Sequence, residues 1–422
     1  MKKILAIVIC AAMLSAATPV FAQSDGSTSN IQPEETFTQV ADATSNKKYF
    51  FDLNDGDIVV TASDFGMLTV QQQNNTTIFA VNEGVVIQQS TEFNIPHTIT
   101  IDDSVKNGQS IILDNIHIDA HNQSPIVVES GANVTFILKG DNRVSASDYN
   151  AEKSIEHAAV SVEEGSTVTF CGDGSLYADA FGYGAAIGTN GYYRDGKSHG
   201  DNSKSSGTVN IMGSAHVTAK GGYGAGIGGG AINGSTCEQA AFDCGPVNIG
   251  ENAVVTAIGS SFGGYSAGIG GGGCYTSTCN AKAGDGGLVT ISGNAYVSAI
   301  NNGNKKVPKD ESSMGATIGG GGACAKTATA FAGDANQMIV KDSAVVNLHN
   351  WDNNACQFGG GGAKQKTCCS AYGGDGGSLF IEDYACVNFT RSASKPFGGG
   401  SGTRVGSDTV LTLQPTATIN YV

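Results

Sequence analysis

The chain has 422 residues, with 38 acidic against 23 basic side chains, a formal net charge of −15 and 60 glycines against a single tryptophan. A surface of this sign repels nucleic acid and anionic lipid, which excludes both as partners. The arginines stand far apart, at 143, 194, 391 and 404, so no basic patch offsets the excess.

Taken from the start, Lys2 and Lys3 precede an apolar stretch that closes on Val20, Phe21 and Ala22. This is the pattern of a signal peptide over residues 1–22, and a secreted or cell-surface protein is expected. Cys10 lacks the small residue before it that a lipoprotein signal requires. No later segment is apolar for long enough to cross a bilayer, so no membrane span is expected. Residues 23–48, rich in Ser, Thr, Gln and Asp, read as a flexible leader. Residues 49–99 contain DGDIVVTA, GMLTV, GVVIQQ and HTITID, which read as strands that cap or begin the fold.

Residues 100–410 are repetitive. AAIG, AGIGGG, AGIGGGG, ATIGGGG, QFGGGG and PFGGG place Ile187, Ile227, Ile269, Ile318, Phe358 and Phe397 at spacings of 40, 42, 49, 40 and 39 residues. A near-constant period with variable insertions is the mark of a solenoid. Each unit also carries an alternating segment such as TVNIMGSAHVTA or LVTISGNAYVSA. Aligned, these give apolar columns through Val209, Val247, Val289, Met338 and Leu379, and through Val217, Val255, Val297, Val346 and Val387. Period two along the chain with like residues between units predicts an all-β fold, a right-handed parallel β-helix with glycine-rich turns and cysteine-containing loop insertions. Glycine at this frequency excludes a helical solenoid, since each would cost a helix about 1 kcal/mol. The closing residues 411–422 are expected to cover the last coil, whose edge would otherwise invite strand addition.

GAGIGGG, a glycine-rich insertion, then G-x-V-x-I-x-G-x-A-x-V-x-A resembles the extracellular β-helix repeat proteins of anaerobic, often gut, bacteria. The likeness spans about residues 100 to 400, and SPIVVESGANVTFILKGDN matches the segment that commonly precedes the repeats. Such proteins are described as carbohydrate-binding or adhesin-like, so the resemblance implies the fold strongly and the function by analogy alone. The cysteine content departs from that pattern.

Three side-chain groups stand out. The first is Cys171, Cys237, Cys244, Cys274, Cys279, Cys324, Cys356, Cys368, Cys369 and Cys386, an even number that in an exported chain reads as disulfides, with connectivity open. Zinc is the weaker reading, because the histidines do not fall at finger or ribbon spacings. The second is Asp243, Asp285, Asp334 and Asp375, one before each first strand. Stacked at β spacing they form a column of like charge that calcium could bridge, or they are simple Asp-Gly turns facing water. The third is Tyr183, Tyr223 and Tyr265, each four residues before the repeat isoleucine, whose rings suit stacking on sugars or on each other.

The glycine runs lack the Lys-Ser/Thr of a phosphate loop and read as close-approach positions. The row Thr218, Thr256 and Ser298 gives way to Asn347 and Asn388, which spoils a threonine lattice for ice binding. The leading expectation is a non-enzymatic, adhesin-like interaction protein meeting a glycan, a polysaccharide, or a host or cell-surface protein. The alternative is a carbohydrate-binding module, calcium-assisted or without cofactor. The third is a polysaccharide lyase or glycoside hydrolase, which would need convergent acids that the repeats do not supply. Nothing in the repeats fixes an oligomeric state.

Overall fold

A computed structural model describes residues 48–63, 67–79, 84–147, 155–193, 205–234, 239–262, 264–302, 314–350, 355–365, 369–390 and 395–422. The expected signal peptide and nearly all of the leader lie outside them. The described chain is a parallel β-helix. Its walls are sheets of eleven, nine and twelve strands, and its one helical element is the 3-10 turn Leu53–Asp55.

Alternation builds the walls, because successive side chains leave a strand on opposite faces. In the first wall Val209, Val247, Val289, Met338, Leu379 and Leu411 lie in register. In the second, Val217, Val255, Val297, Val346 and Val387 do the same. The Ile-Gly steps form the third, from Ile187 through Ile227, Ile269, Ile318 and Phe358 to Phe397. These columns face one continuous apolar core from Leu53 to Phe389. The inward column Ala219, Ala257, Ala299, Leu348 and Phe389 grows bulkier along the axis. Its last ring meets Phe397 at 5.8 Å and Tyr421 at 5.9 Å.

Where they are described, the insertions after the glycine runs form strand rungs. Ile232–Gly234, Cys274–Thr276, Ala323–Ala325 and Ala363–Gln365 stack in one narrow sheet. Gln239–Ala240, Ala281–Lys282, Ala330–Phe331 and Ala371–Tyr372 stack in another. Between them lies a second core of small side chains, including Ile232, Cys274, Ala281, Ala323, Ala330 and Ala371. Alanines at alternate positions let two short strands approach closely enough to exclude water.

Glycines weld this side lobe to the main coil. Gly272 donates its N–H to Phe242 O at 2.9 Å and its carbonyl accepts from Gly284 N at 2.9 Å. The pattern then runs through Gly321, Gly333, Gly361, Gly374 and Gly400, crossing between coil and lobe at each step. A β-carbon on Gly333 would stand 1.8 Å from Gly284 O. The glycine content therefore answers to backbone contact, and at Gly319, with φ +135°, to a conformation that other residues avoid.

The two ends differ. Lys48–Asp52 pairs parallel with Gly84–Gln88, and the antiparallel strands Ile58–Ala62, Leu68–Gln72 and Asn75–Ile78 join the third wall. Phe79 is fully buried there under Tyr49 and Phe51. At the other end Val410–Leu413 and Thr418–Tyr421 pair parallel with Ser378–Ile381 and Cys386–Phe389 and add a further rung. Leu413 and Tyr421, which continue core columns, are 46% and 49% exposed.

The disulfide expectation finds no bond among the eight described cysteines. Cys171, Cys244, Cys274, Cys324 and Cys356 are buried, Cys279 and Cys386 half-buried, and Cys369 exposed. Cys237 and Cys368 lie outside the described residues. In the side lobe Cys274 aligns with Ala323 and Cys324 with Tyr275, one residue out of step. In the side lobe these residues serve as small apolar packing.

Candidate tyrosine cleft and aspartate ladder

The constant offset from the repeat isoleucine brings Tyr183, Tyr223 and Tyr265 to one side of the helix, where they line a cleft of about 320 Å³. Tyr183 and Tyr223 stack with ring centres 4.6 Å apart at 12°. Tyr193 stacks on Tyr183 at 5.3 Å. A second pair, Tyr265 and Tyr275, lies nearly parallel at 6° with centres 6.3 Å apart. Members of both stacks line the cleft, together with Phe262 and Asn233.

Tyr183 is the buried member, 8% exposed, and Asn233 Nδ2 donates to its hydroxyl at 2.9 Å. Burial pushes its phenol well above the ordinary range, and the amide opposes this only in part. Tyr223, Tyr265 and Tyr275 are half-buried. Phe262 packs against Tyr223 at 6.0 Å and Phe181 at 5.4 Å. Lys220 Nζ lies over both phenylalanine rings and is held by Asp179 at 3.0 Å.

Tyr275, Phe262 and Asn233 escaped the sequence reading. A signal for two of them was present: Tyr193, Asn233 and Tyr275 each follow a repeat isoleucine by six residues. They occupy one register position in consecutive rungs. Phe262 sits in a rung-specific insertion and has no counterpart to align with.

The aspartates also form a column, with a different use. Asp243 Oδ1 accepts from Asp285 N at 2.7 Å, Asp285 Oδ1 from Asp334 N at 2.8 Å, and Asp334 Oδ1 from Asp375 N at 2.7 Å. Asp375 Oδ1 accepts from Ser407 N at 2.7 Å, closing the ladder. Each carboxylate thus satisfies a backbone donor of the next rung, a charge-assisted bond that offsets the proximity of like charges. Burial, and then the Asp285 charge, raise the Asp243 carboxyl to about 6 against the opposing amide bond, and Asp334 is raised for the same reasons.

Among the described residues the acids whose oxygens converge closely are Asp102, Asp103 and Glu129, outside the column. Asp102 is lowered by hydrogen bonds from Ser104, whereas burial and neighbouring carboxylates raise Glu129. No helix among the described residues is long and apolar enough to cross a membrane. No family model, curated protein or solved structure matches the chain.

Proposed function

We propose that the protein is a secreted or surface-associated, non-enzymatic interaction protein that binds carbohydrate in the tyrosine cleft. One observation carries this reading: the tyrosines repeated along the sequence line a single cleft, and stacked rings from both aromatic pairs reach it. Tyrosine offers a flat apolar face with a polar rim at little cost in side-chain freedom, which suits the C–H faces and hydroxyls of a sugar. The export reading rests on the basic and apolar N-terminal residues.

The aspartate ladder is satisfied by backbone amides, so no calcium is assigned to binding. A glycan array and a pull-down on insoluble polysaccharides, each with and without EDTA, test the proposal. Glycan retention that persists in EDTA is expected. Absence of retention in either buffer would overturn it.

A further inference from the structure

The cleft coincides with a break in an aromatic column. Tyr193, Asn233 and Tyr275 share one register position in three consecutive rungs, and the middle residue is an amide where both neighbours are rings. Rungs of a parallel sheet lie about 4.8 Å apart, so the two tyrosines are separated by two rung spacings with one ring missing. The cleft lies beside this position and is lined by Asn233 and Tyr275. None of its lining side chains carries a charge. The ammonium over the Phe262 wall, that of Lys220, is already paired with Asp179.

Size and polarity together limit the occupant. About 320 Å³ is near the lower end of the roughly 300–1,000 Å³ of small-molecule sites, enough for a compact ligand and too little for a long chain laid across several rungs. A carboxylate or sulfate entering it would lose hydration with no cation there to replace it. The negative net charge of the chain acts in the same direction.

We infer that the cleft takes one uncharged six-membered sugar ring at the end of a glycan, standing in the slot a third tyrosine would fill beside Asn233. This rests on the carbohydrate reading and sharpens it to end-on recognition of a neutral sugar. Tyr223, Tyr265 and Tyr275 supply the faces against which the ring stacks. Asn233, half-buried and anchored through its Nδ2 to Tyr183, is the polar group at the slot that reads a sugar hydroxyl.

The test is calorimetric titration of the full chain with methyl glycosides of glucose, galactose, mannose and N-acetylglucosamine, with methyl glucuronide and methyl sialoside, and with neutral oligosaccharides of increasing length. At least one neutral glycoside is expected to bind. Its affinity should change by less than about threefold as the oligosaccharide lengthens, and the acidic sugars should bind at least about tenfold more weakly. Asn233→Tyr should complete the aromatic column, hold or raise the melting temperature, and lower affinity by at least about tenfold. Asn233→Gln, which lengthens the amide into the same space, is the second variant and should weaken binding without unfolding.

Affinity that climbs with chain length and survives both substitutions overturns end-on recognition while leaving glycan binding intact. Tighter binding of the acidic sugars overturns the neutral assignment. Binding of no carbohydrate overturns this inference and the reading beneath it.

Discussion

The carboxylate of Asp243 accepts a hydrogen bond from the backbone N–H of Asp285, one rung along the axis, at 2.7 Å. That relationship makes a side chain part of the backbone ladder, and burial of the same carboxyl, which the amide bond only partly opposes, sets a pH dependence. The folded Asp243 carboxyl is raised from 3.8 to about 6, so between these values the native state binds more protons than the unfolded chain. Its contribution to stability is therefore greatest below about pH 3.8 and falls as pH rises through 6. Lys282 moderates the shift, and Asp285 and Glu164 add to it.

Asp243→Asn keeps an oxygen acceptor for the Asp285 amide and removes the titration. The variant is expected to melt higher than the parent at pH 7 and to converge with it near pH 4. Thermal unfolding across that range checks this. A difference in melting temperature independent of pH would show that the ladder is not desolvated as described.

Gly333→Ala should be among the most damaging single-methyl changes in the chain. Its β-carbon would stand 1.8 Å from Gly284 O, on the seam between main coil and side lobe. Backbone on both sides cannot yield as a side chain can, so a loss of about 3 kcal/mol or more is expected in chemical denaturation. A loss below about 1 kcal/mol would mean that the lobe is not welded as the hydrogen bonds indicate.

The buried thiols should be inert in the native state. Burial raises Cys171 and Cys356 to about 11 and Cys244 and Cys274 to about 12, which leaves almost no thiolate at pH 8. Maleimide labelling followed by peptide mass spectrometry should find these four modified only after denaturation. A bridged Cys244 or Cys274 in material kept oxidised would refute their role as core residues.

Truncating the half-buried ring of Tyr223 should weaken sugar binding with a modest effect on folding. Aromatic stacking is worth roughly 0.5–1.5 kcal/mol, so Tyr223→Ala should lower affinity about two- to twelvefold. The exposed Tyr384→Ala, distant in sequence and absent from the cleft lining, serves as the control and should bind as the parent does. Equal losses in both variants would point to a general effect on the fold.

The fold was legible because it is written with one period. Ile187, Ile227, Ile269, Ile318, Phe358 and Phe397 are recognisable as a column from their spacing alone, and they pair residue for residue in the sheet. The insertions were harder to read, since strands of two or three residues such as Ala281–Lys282 are too short to show alternation. The cysteines were harder to read for a related reason: an even count suggests bridges, whereas pairing depends on register, which single positions do not display. At the cleft the tyrosine column was visible, and the meaning of Asn233 was not. An interruption acquires significance only when the rungs above and below it are known to carry rings.

The most direct test of sugar binding in the tyrosine cleft is a nuclear magnetic resonance titration of the chain labelled in its tyrosine rings, using the neutral glycan that binds best. Selective, saturable shifts of the Tyr223, Tyr265 and Tyr275 ring signals, with the exposed Tyr296 and Tyr384 unmoved, are the predicted result. Binding that leaves the cleft tyrosines unchanged and moves rings elsewhere would contradict the account.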